Sequence, residues 1–304
     1  MICRIVDIMN IDIFRRIGIV GSGRVARALA LGLKPASHEP PLLWGRSPEQ
    51  LAEAERQVDG IETTPTLGAL FQTCNAIAIA VADDAIAGIV TALAIAASTT
   101  EASPFVFHVS GRSGAALLAP LHDAGWTTAA IHPAMTFTGD PAGEVARMAG
   151  ARFAVTGSSA DAAVQARQIV ALLGGVAVEI PEERRALYHA ALCHASNHLV
   201  TLLADAAQAL EHAGVDAPRA LLAPLVQAAL DNSLDRGFGA LSGPLLRGDV
   251  QTIRDHVAAL AAHDPDLVAA YRAMAVATID RLEHEGARPD AALRRALDSS
   301  GAVP

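Results

Sequence analysis

Residues Arg16 to Ala30 read Arg-Ile-Gly-Ile-Val-Gly-Ser-Gly-Arg-Val-Ala-Arg-Ala-Leu-Ala. An apolar, β-branched strand runs straight into Gly21-x-Gly23-x-x-Ala26, and an alanine-rich helical run follows at once. Each small residue has a physical task. Gly21 permits a tight turn. Gly23 lets backbone N–H groups approach a pyrophosphate closely. Ala26 lets the helix pack tightly on the strand, and the helix N-terminus attracts phosphate charge. Ser22, Arg24 and Val25 fill the rest of the same turn and are counted with it as cofactor-binding. A glycine pattern alone is weak evidence, but here the strand–turn–helix context that should accompany it is present. The alternative is an ordinary glycine turn.

Outward from that stretch, the 304 residues suggest roughly two domains. The chain is 52% hydrophobic and only 4% aromatic, so its core is built mainly from Ala, Leu, Val and Ile. The net charge of −9 comes without a block of like charge, which argues against nucleic acid or an anionic membrane as a partner. Cys3, Cys74 and Cys193 show no metal spacing, and no metal site is expected; a reduced, cytoplasmic setting fits. The first apolar stretch is broken by Arg4, Asp7 and Asp12, and Ala85 to Ala97 is too short to span a bilayer. Residues 1–16 are an extension, either an extra edge strand or an upstream-start segment.

Strands are expected at 17–20, 42–44, near 60–63, and at 75–81, 105–109 and 127–131, with helices between them. A further strand–helix–strand covers 152–156, 159–173 and 176–180. Strands alternating with helices predict a mainly parallel, doubly wound sheet. Pro181 ends that regime, and no glycine or proline follows until after Ala213. The fold class is therefore α/β: a doubly wound, Rossmann-like domain over 17–180, followed by an all-α domain over 181–304.

The end of the second strand separates the two nicotinamide cofactors. An acidic residue there would bind the ribose 2′-hydroxyl of NAD. This chain has Gly45-Arg46-Ser47. A guanidinium and a hydroxyl suit the 2′-phosphate of NADP, because arginine can pair with its oxygens in a fork. The bland alternatives are a solvated Arg46 and a Ser47 that only caps the next helix.

Ligands in open α/β sheets bind beyond the carboxyl ends of the strands. Val81-Ala82-Asp83 follows the fourth strand, His108-Val109-Ser110-Gly111 the fifth, and His132-Pro133 the sixth. Val81, Ala82, Asp83 and Ser110 are candidates for the cofactor, and Ser110 and Gly111 for the substrate. Taken singly, each of these strand ends suits a structural role as well. On the long helix after Pro181, His189, Cys193, Ser196 and Asn197 fall on one broad face. Such a stripe is costly to bury unless it meets a ligand or a polar network. A hydrogen-bonded seam between domains is the alternative. Further on, Arg247 is a candidate grip for a substrate carboxylate.

These motifs occur in a telling order: Gly21-Ser-Gly23, Val81-Ala-Asp83-Asp84-Ala-Ile86, His108-Val-Ser110-Gly111, His132-Pro133-Ala-Met-Thr136-Phe137, Tyr188-His189-Ala, Ser196-Asn197, and Ser242-Gly-Pro244 with Arg247-Gly248-Asp249 and His256. Over residues 17–285 the chain resembles a bacterial family with a Rossmann-like domain followed by a helical domain of unknown function. That family is similar to the 6-phosphogluconate dehydrogenase and pyrroline-carboxylate reductase group. The resemblance implies NADP binding, a helical dimerisation domain and thus a homodimer, and an active site between the domains. Some members resemble an alternative ketopantoate reductase, which makes 2-dehydropantoate the leading substrate.

One departure is informative. Hydroxyacid dehydrogenases and the common ketopantoate reductase use a helix lysine as proton donor, whereas the only lysine here is Lys34. The expectation is hydride transfer from NADPH to a small anionic carbonyl compound. His189 would be the acid, with His132 in reserve. Asn197 and Ser196 would hold the carbonyl, and Arg247 the carboxylate. The rivals are an imine reductase of the pyrroline-5-carboxylate type and an NADP-binding regulator without turnover.

Overall fold

The computed structural model describes residues 14–97 and 103–298. Positions 1–13 of the expected extension, Cys3 among them, lie outside the described residues. By its contacts the chain divides into two compact units, Met1–Cys193 and His194–Pro304.

The first unit is a sheet with helices on both faces. Its strands are β1 (Ile17–Val20), β2 (Leu42–Trp44), β3 (Glu62–Thr64), β4 (Ala76–Ile79), β5 (Phe105–His108), β6 (Thr128–Pro133), β7 (Arg152–Gly157) and β8 (Val176–Glu179). Between them run α1 (Arg24–Leu33), α2 (Pro48–Gln57), α3 (Gly68–Thr73), α4 (Asp83–Ala97), α5 (Ala119–Asp123), α6 (Pro141–Met148) and α7 (Ala160–Leu172). The strand order is β3-β2-β1-β4-β5-β6-β7-β8. All neighbours are parallel except β6 and β7, which pair antiparallel with Ala130 opposite Thr156 and His132 opposite Ala154. This is the doubly wound, mainly parallel sheet that the alternating pattern predicts. The antiparallel pair is the one feature of the sheet that the pattern did not reveal.

Residue alternation along each strand builds the two layers. Ile17, Ile19, Ala76, Ala78, Phe105 and Phe107 pack on one face with α1 and α7. Ile77, Ile79 and Val106 pack on the other with Leu70, Ile86, Val90 and Leu93 of α3 and α4. Truncating a core aromatic such as the buried Phe107 to alanine would cost about 3–5 kcal/mol. The order reverses between β1 and β4, which opens a crevice at the carboxyl ends of those strands.

The second unit is helical. A long helix α8 (Arg185–His212) leads in, and the division between the units falls within it. Then come α9 (Pro218–Arg236), α10 (Pro244–Arg247), α11 (Val250–His263), α12 (Leu267–His284) and α13 (Ala291–Asp298). Ile253, Val257, Ala275, Ile279, Leu293 and Leu297 form a compact core among the last three. Asp264 is buried, and its carboxylate accepts a hydrogen bond from the Gln208 side-chain amide at 2.9 Å. Asp249 occupies the N-cap position of α11 but makes no capping bond, because its carboxylate binds Arg247 at 2.7 Å instead. Among the described residues, no helix is long and apolar enough to cross a membrane.

Candidate active site

A crevice of about 580 Å³ lies at the reversal of strand order. The turn after β1 supplies Gly21, Ser22 and Gly23, and the end of β2 supplies Trp44 to Ser47 with Gln50. Ala80, Val81, Ala82 and Asp84 close the third side after β4, and Gly88 and Ile89 extend it along α4.

The two glycines of the turn differ in what requires them. Gly21 has φ +130°, and a side chain there would collide with the Ala80 carbonyl. Gly23 has no such conflict: a Cβ built on it meets nothing within 4 Å. The space before Gly23 lies open at the N-terminus of α1, where an anion is attracted by the helix and by free backbone N–H groups. Such a cradle could hold the pyrophosphate of a dinucleotide. Arg24 opens α1 and reaches the Phe137 carbonyl at 3.3 Å. Val25 is half-buried behind it.

Arg46 is exposed at the mouth of the crevice and makes no ion pair among the described residues. Ser47 caps α2 through Oγ, which accepts from the Gln50 amide at 3.2 Å. Its hydroxyl donates to Glu49 at 2.7 Å, so a phosphate at this position would have to displace that carboxylate. The Gln50 side chain does not fold back on the cap. Its Oε1 accepts from the Ser22 hydroxyl at 3.2 Å and so ties α2 to the glycine turn. Gln50 and Trp44 line the crevice without having been singled out from the sequence. Gln50 reads there as half of a capping box, and the competing partner Ser22 is 28 residues away.

On the far side of the crevice, Asp83 and Asp84 start α4 and are both held by Arg112, at 3.1 and 3.0 Å. This clasp joins the loop after β4 to the loop after β5. Within the latter loop, His108 is wholly buried. Its Nδ1 accepts from the Ser110 amide at 3.1 Å, so Nε2 carries the proton and donates to the Gly114 carbonyl at 2.9 Å. Burial pushes its pKa down to about 4. His108 is a brace for residues 110–114, with no nitrogen left for chemistry. Ser110 is buried too, and its Oγ accepts from the Ser113 amide at 3.4 Å.

The strand ends meet the start of α8. His132 Nδ1 lies 2.9 Å from the Tyr188 hydroxyl. The His132 ring stands edge-on to His189, with centroids 5.7 Å apart. Gly111 fits against both imidazoles: a Cβ there would clash with His189 and lie 2.9 Å from His132 Nε2. His189 in turn has Nε2 at 3.6 Å from Cys193 Sγ. Burial, followed by the neighbouring His189 and Arg185, pushes His132 down to about 4, so it is neutral at physiological pH. Tyr188 stands in the motif Tyr188-His189-Ala, with no role assigned to it from the sequence. Its position beside His189 and its spacing from Arg185 were the available signals.

The structure thus brings Gly21, Ser22, Gly23, Arg46, Ser47, Val81 and Ala82 around one crevice, and His132, His189 and Gly111 into one cluster. Ser196, Asn197 and Arg247 belong to the helical unit. There the Ser196 hydroxyl donates to Asn197 Oδ1 at 3.2 Å, and Arg247 is engaged by Asp249. His194 and His198 face each other at 2.9 Å between Nδ1 atoms. Among the described residues, no group of three or more potential ligands is placed to hold a metal ion.

Comparison with known proteins gives two domain matches. Residues 9–133 match the Rossmann-like domain, and residues 151–278 match the domain of unknown function DUF2520. No curated protein matches. Among solved structures, the chain is similar to a protein of Bacteroides fragilis whose assignment as an NADP oxidoreductase is itself provisional. The identity is 20%, with 89% of this chain and 100% of that one covered and a TM-score of 0.72. It is also similar to a reductive aminase from Aspergillus terreus in complex with NADPH and ethyl-5-oxohexanoate, at 18% identity, 90% and 94% coverage and a TM-score of 0.63. A pyrroline-5-carboxylate reductase from Coxiella burnetii follows at 15% identity, 88% and 97% coverage and a TM-score of 0.54. At these identities the likeness establishes the fold.

Proposed function

We propose that this chain, which joins a Rossmann-like domain to a DUF2520 domain, is an NADP(H)-dependent reductase of a small carbonyl compound. The observation that carries the reading is Gly23. No neighbour demands a glycine there, yet it fronts a crevice of about 580 Å³ at the sheet's topological switch point. Gly21, Ser22, Gly23, Arg24 and Val25 would hold the pyrophosphate. Arg46 and Ser47 would hold the 2′-phosphate, with Val81, Ala82, Asp83 and Ser110 along the rest of the cofactor. The reductase neighbours support the same class.

When bound, NADPH supplies the hydride, and the substrate oxygen that gains negative charge needs a donor and a proton. Lysine cannot serve, because Lys34 donates to the Asp59 carbonyl at 2.6 Å, beyond α1. His189 is the proton donor in this reading. His132, neutral down to about pH 4, carries no extra proton to give near neutral pH and serves as a hydrogen-bonding partner. Gly111 and Ser110 border the substrate. The leading substrate is 2-dehydropantoate or a related 2-oxo acid. The protein acts as a homodimer, built through helices whose apolar side chains are exposed in the single chain.

The neutral state of His132 also favours a second reading, an imine reductase of the pyrroline-5-carboxylate type. Its substrate arrives protonated and makes less demand on an acid. NADPH consumption with 2-dehydropantoate and with 1-pyrroline-5-carboxylate distinguishes the two. His189→Ala should lower turnover about 100-fold or more with unchanged NADPH affinity. Full activity in His189→Ala together with loss in His132→Ala would move the acid to the strand end. Tight NADPH binding without turnover on any keto acid or imine would make the protein a cofactor-binding regulator.

A further inference from the structure

The largest fully buried side chain among the described residues is an arginine. Arg185 opens α8 at 1% exposure. Its Nη2 donates to the carbonyls of Ala130 at 3.0 Å and Ala154 at 3.3 Å, and its Nε donates to Thr156 Oγ1 at 2.9 Å. Nη1 has no partner, and no carboxylate pairs with the guanidinium among the described residues. A buried cation is costly, by several kcal/mol in general, when the nearest opposing charge is, as here, the Glu182 carboxylate that makes no contact pair with it. A methionine or leucine could fill the same space without that cost.

We propose that Arg185 is a positioning residue for proton delivery, a buried cation that bolts the first turn of α8 to the β6–β7 seam and sets Tyr188 and His189 against His132. The inference rests on the reading of His132 and His189 as the proton-handling pair.

The geometry follows from two registers. Along α8, Tyr188 and His189 lie three and four residues after Arg185 and share its face. Across the sheet, His132 is the residue opposite Ala154, whose carbonyl receives the Arg185 bond. The guanidinium therefore fixes the helix that carries two of the rings to the strands that carry the third. Thr156 extends the bolt, because its hydroxyl donates to the Ile180 carbonyl at 2.6 Å.

The charge has a second consequence. The groups acting on His132 are His189 and Arg185 on α8, Asp83 at the start of α4, and His108 on β5. Burial and the two α8 neighbours disfavour an imidazolium, and the single carboxylate is too weak to compensate. The same cation opposes the effect of burial on the Tyr188 phenol. Arg185 thereby adds to burial and to His189 in keeping His132 uncharged, so the strand-end imidazole does not capture a proton supplied to the site.

The test uses the full-length protein and needs no substrate. Histidine resonances are assigned by comparison with His132→Gln and followed by NMR from pH 4 to 8. In the wild type His132 should remain neutral at pH 6. In Arg185→Gln, which keeps an amide to bond the strand carbonyls, its midpoint should rise by up to about one unit. A midpoint that does not move overturns the electrostatic role. Should Arg185→Gln fail to fold, the wild-type spectrum decides, since a charged His132 at pH 6 also overturns it. Once a substrate is in hand, Arg185→Lys should lower kcat about tenfold or more with little change in KM for NADPH. Equal loss in both would mark Arg185 as a merely structural bolt. An unmoved His132 midpoint in Arg185→Gln refutes this proposal and leaves the reductase reading standing, whereas absence of turnover in the wild type refutes the reductase reading and leaves the effect of Arg185 on His132 standing.

Discussion

The Ser22 hydroxyl donates to Gln50 Oε1 at 3.2 Å, tying the glycine turn after β1 to the first turn of the helix after β2. The two loops that would carry a dinucleotide's phosphates are thus one mechanical piece. Arg46 projects from the same loop with no ion pair of its own among the described residues. Arg46→Asp should weaken NADPH binding by about 10- to 150-fold, the equivalent of losing one charge-assisted contact of 1.5–3 kcal/mol. NADH should lose little or gain, since a carboxylate accepts from a ribose hydroxyl. Titration calorimetry with both cofactors checks this, and unchanged NADPH affinity would refute the contact.

Gly21 and Gly23 should respond differently to the same substitution. Gly21→Ala places a Cβ against the Ala80 carbonyl at a φ of +130°, so it should destabilise the fold by more than about 1 kcal/mol. Gly23→Ala meets no atom within 4 Å, so the melting temperature should hold or rise slightly. Its cost should fall on cofactor affinity, because the added methyl occupies the approach of the pyrophosphate. A Gly23→Ala protein that binds NADPH like the wild type would remove the main support for the cradle.

The fold was legible because its signals are local. The strand–glycine–helix stretch at 16–30 and the alternation of strand and helix decide the sheet, and both are written in neighbouring residues. The polar cluster was only half legible. His132 and His189 stood out as residue types at strand and helix ends, but their contact joins positions 57 residues apart. Arg185 was silent. A guanidinium at the start of a helix reads as solvated, and only the antiparallel register of β6 and β7 shows what it binds. Gln50 misled for the opposite reason, because a plausible local partner masked a distant one.

Stability should depend on pH through His108. Its folded pKa of about 4 lies below the ordinary 6.5, so the unfolded chain binds the extra proton first. Its contribution to stability is complete above pH 6.5 and falls as the pH drops toward 4. The loss is roughly 3 kcal/mol at most, two and a half units at 1.36 kcal/mol each. Urea denaturation at pH 7 and at pH 5 should show a clear fall in the wild type. His108→Asn, which can keep an acceptor for the Ser110 amide, should start less stable at pH 7 and lose less on acidification. Equal slopes for both proteins would mean that His108 is not the group responsible.

Helix α9 provides the last prediction. Over its 19 residues only Pro218 is buried, while Leu221, Leu225, Leu230 and Leu234 are 56, 66, 44 and 79% exposed. An amphipathic surface helix would hide such leucines, and an isolated helix of this length gains little stability from propensity alone. A second copy of the chain is the simplest partner, because an isologous contact lets one apolar face cover another. The wild type should therefore be a dimer by light scattering at micromolar concentration. Leu225→Glu with Leu234→Glu should shift it to monomers, lower the melting temperature and leave the first unit's NADPH crevice intact. A wild-type monomer, or a double variant that stays dimeric, would show that α9 is not the interface.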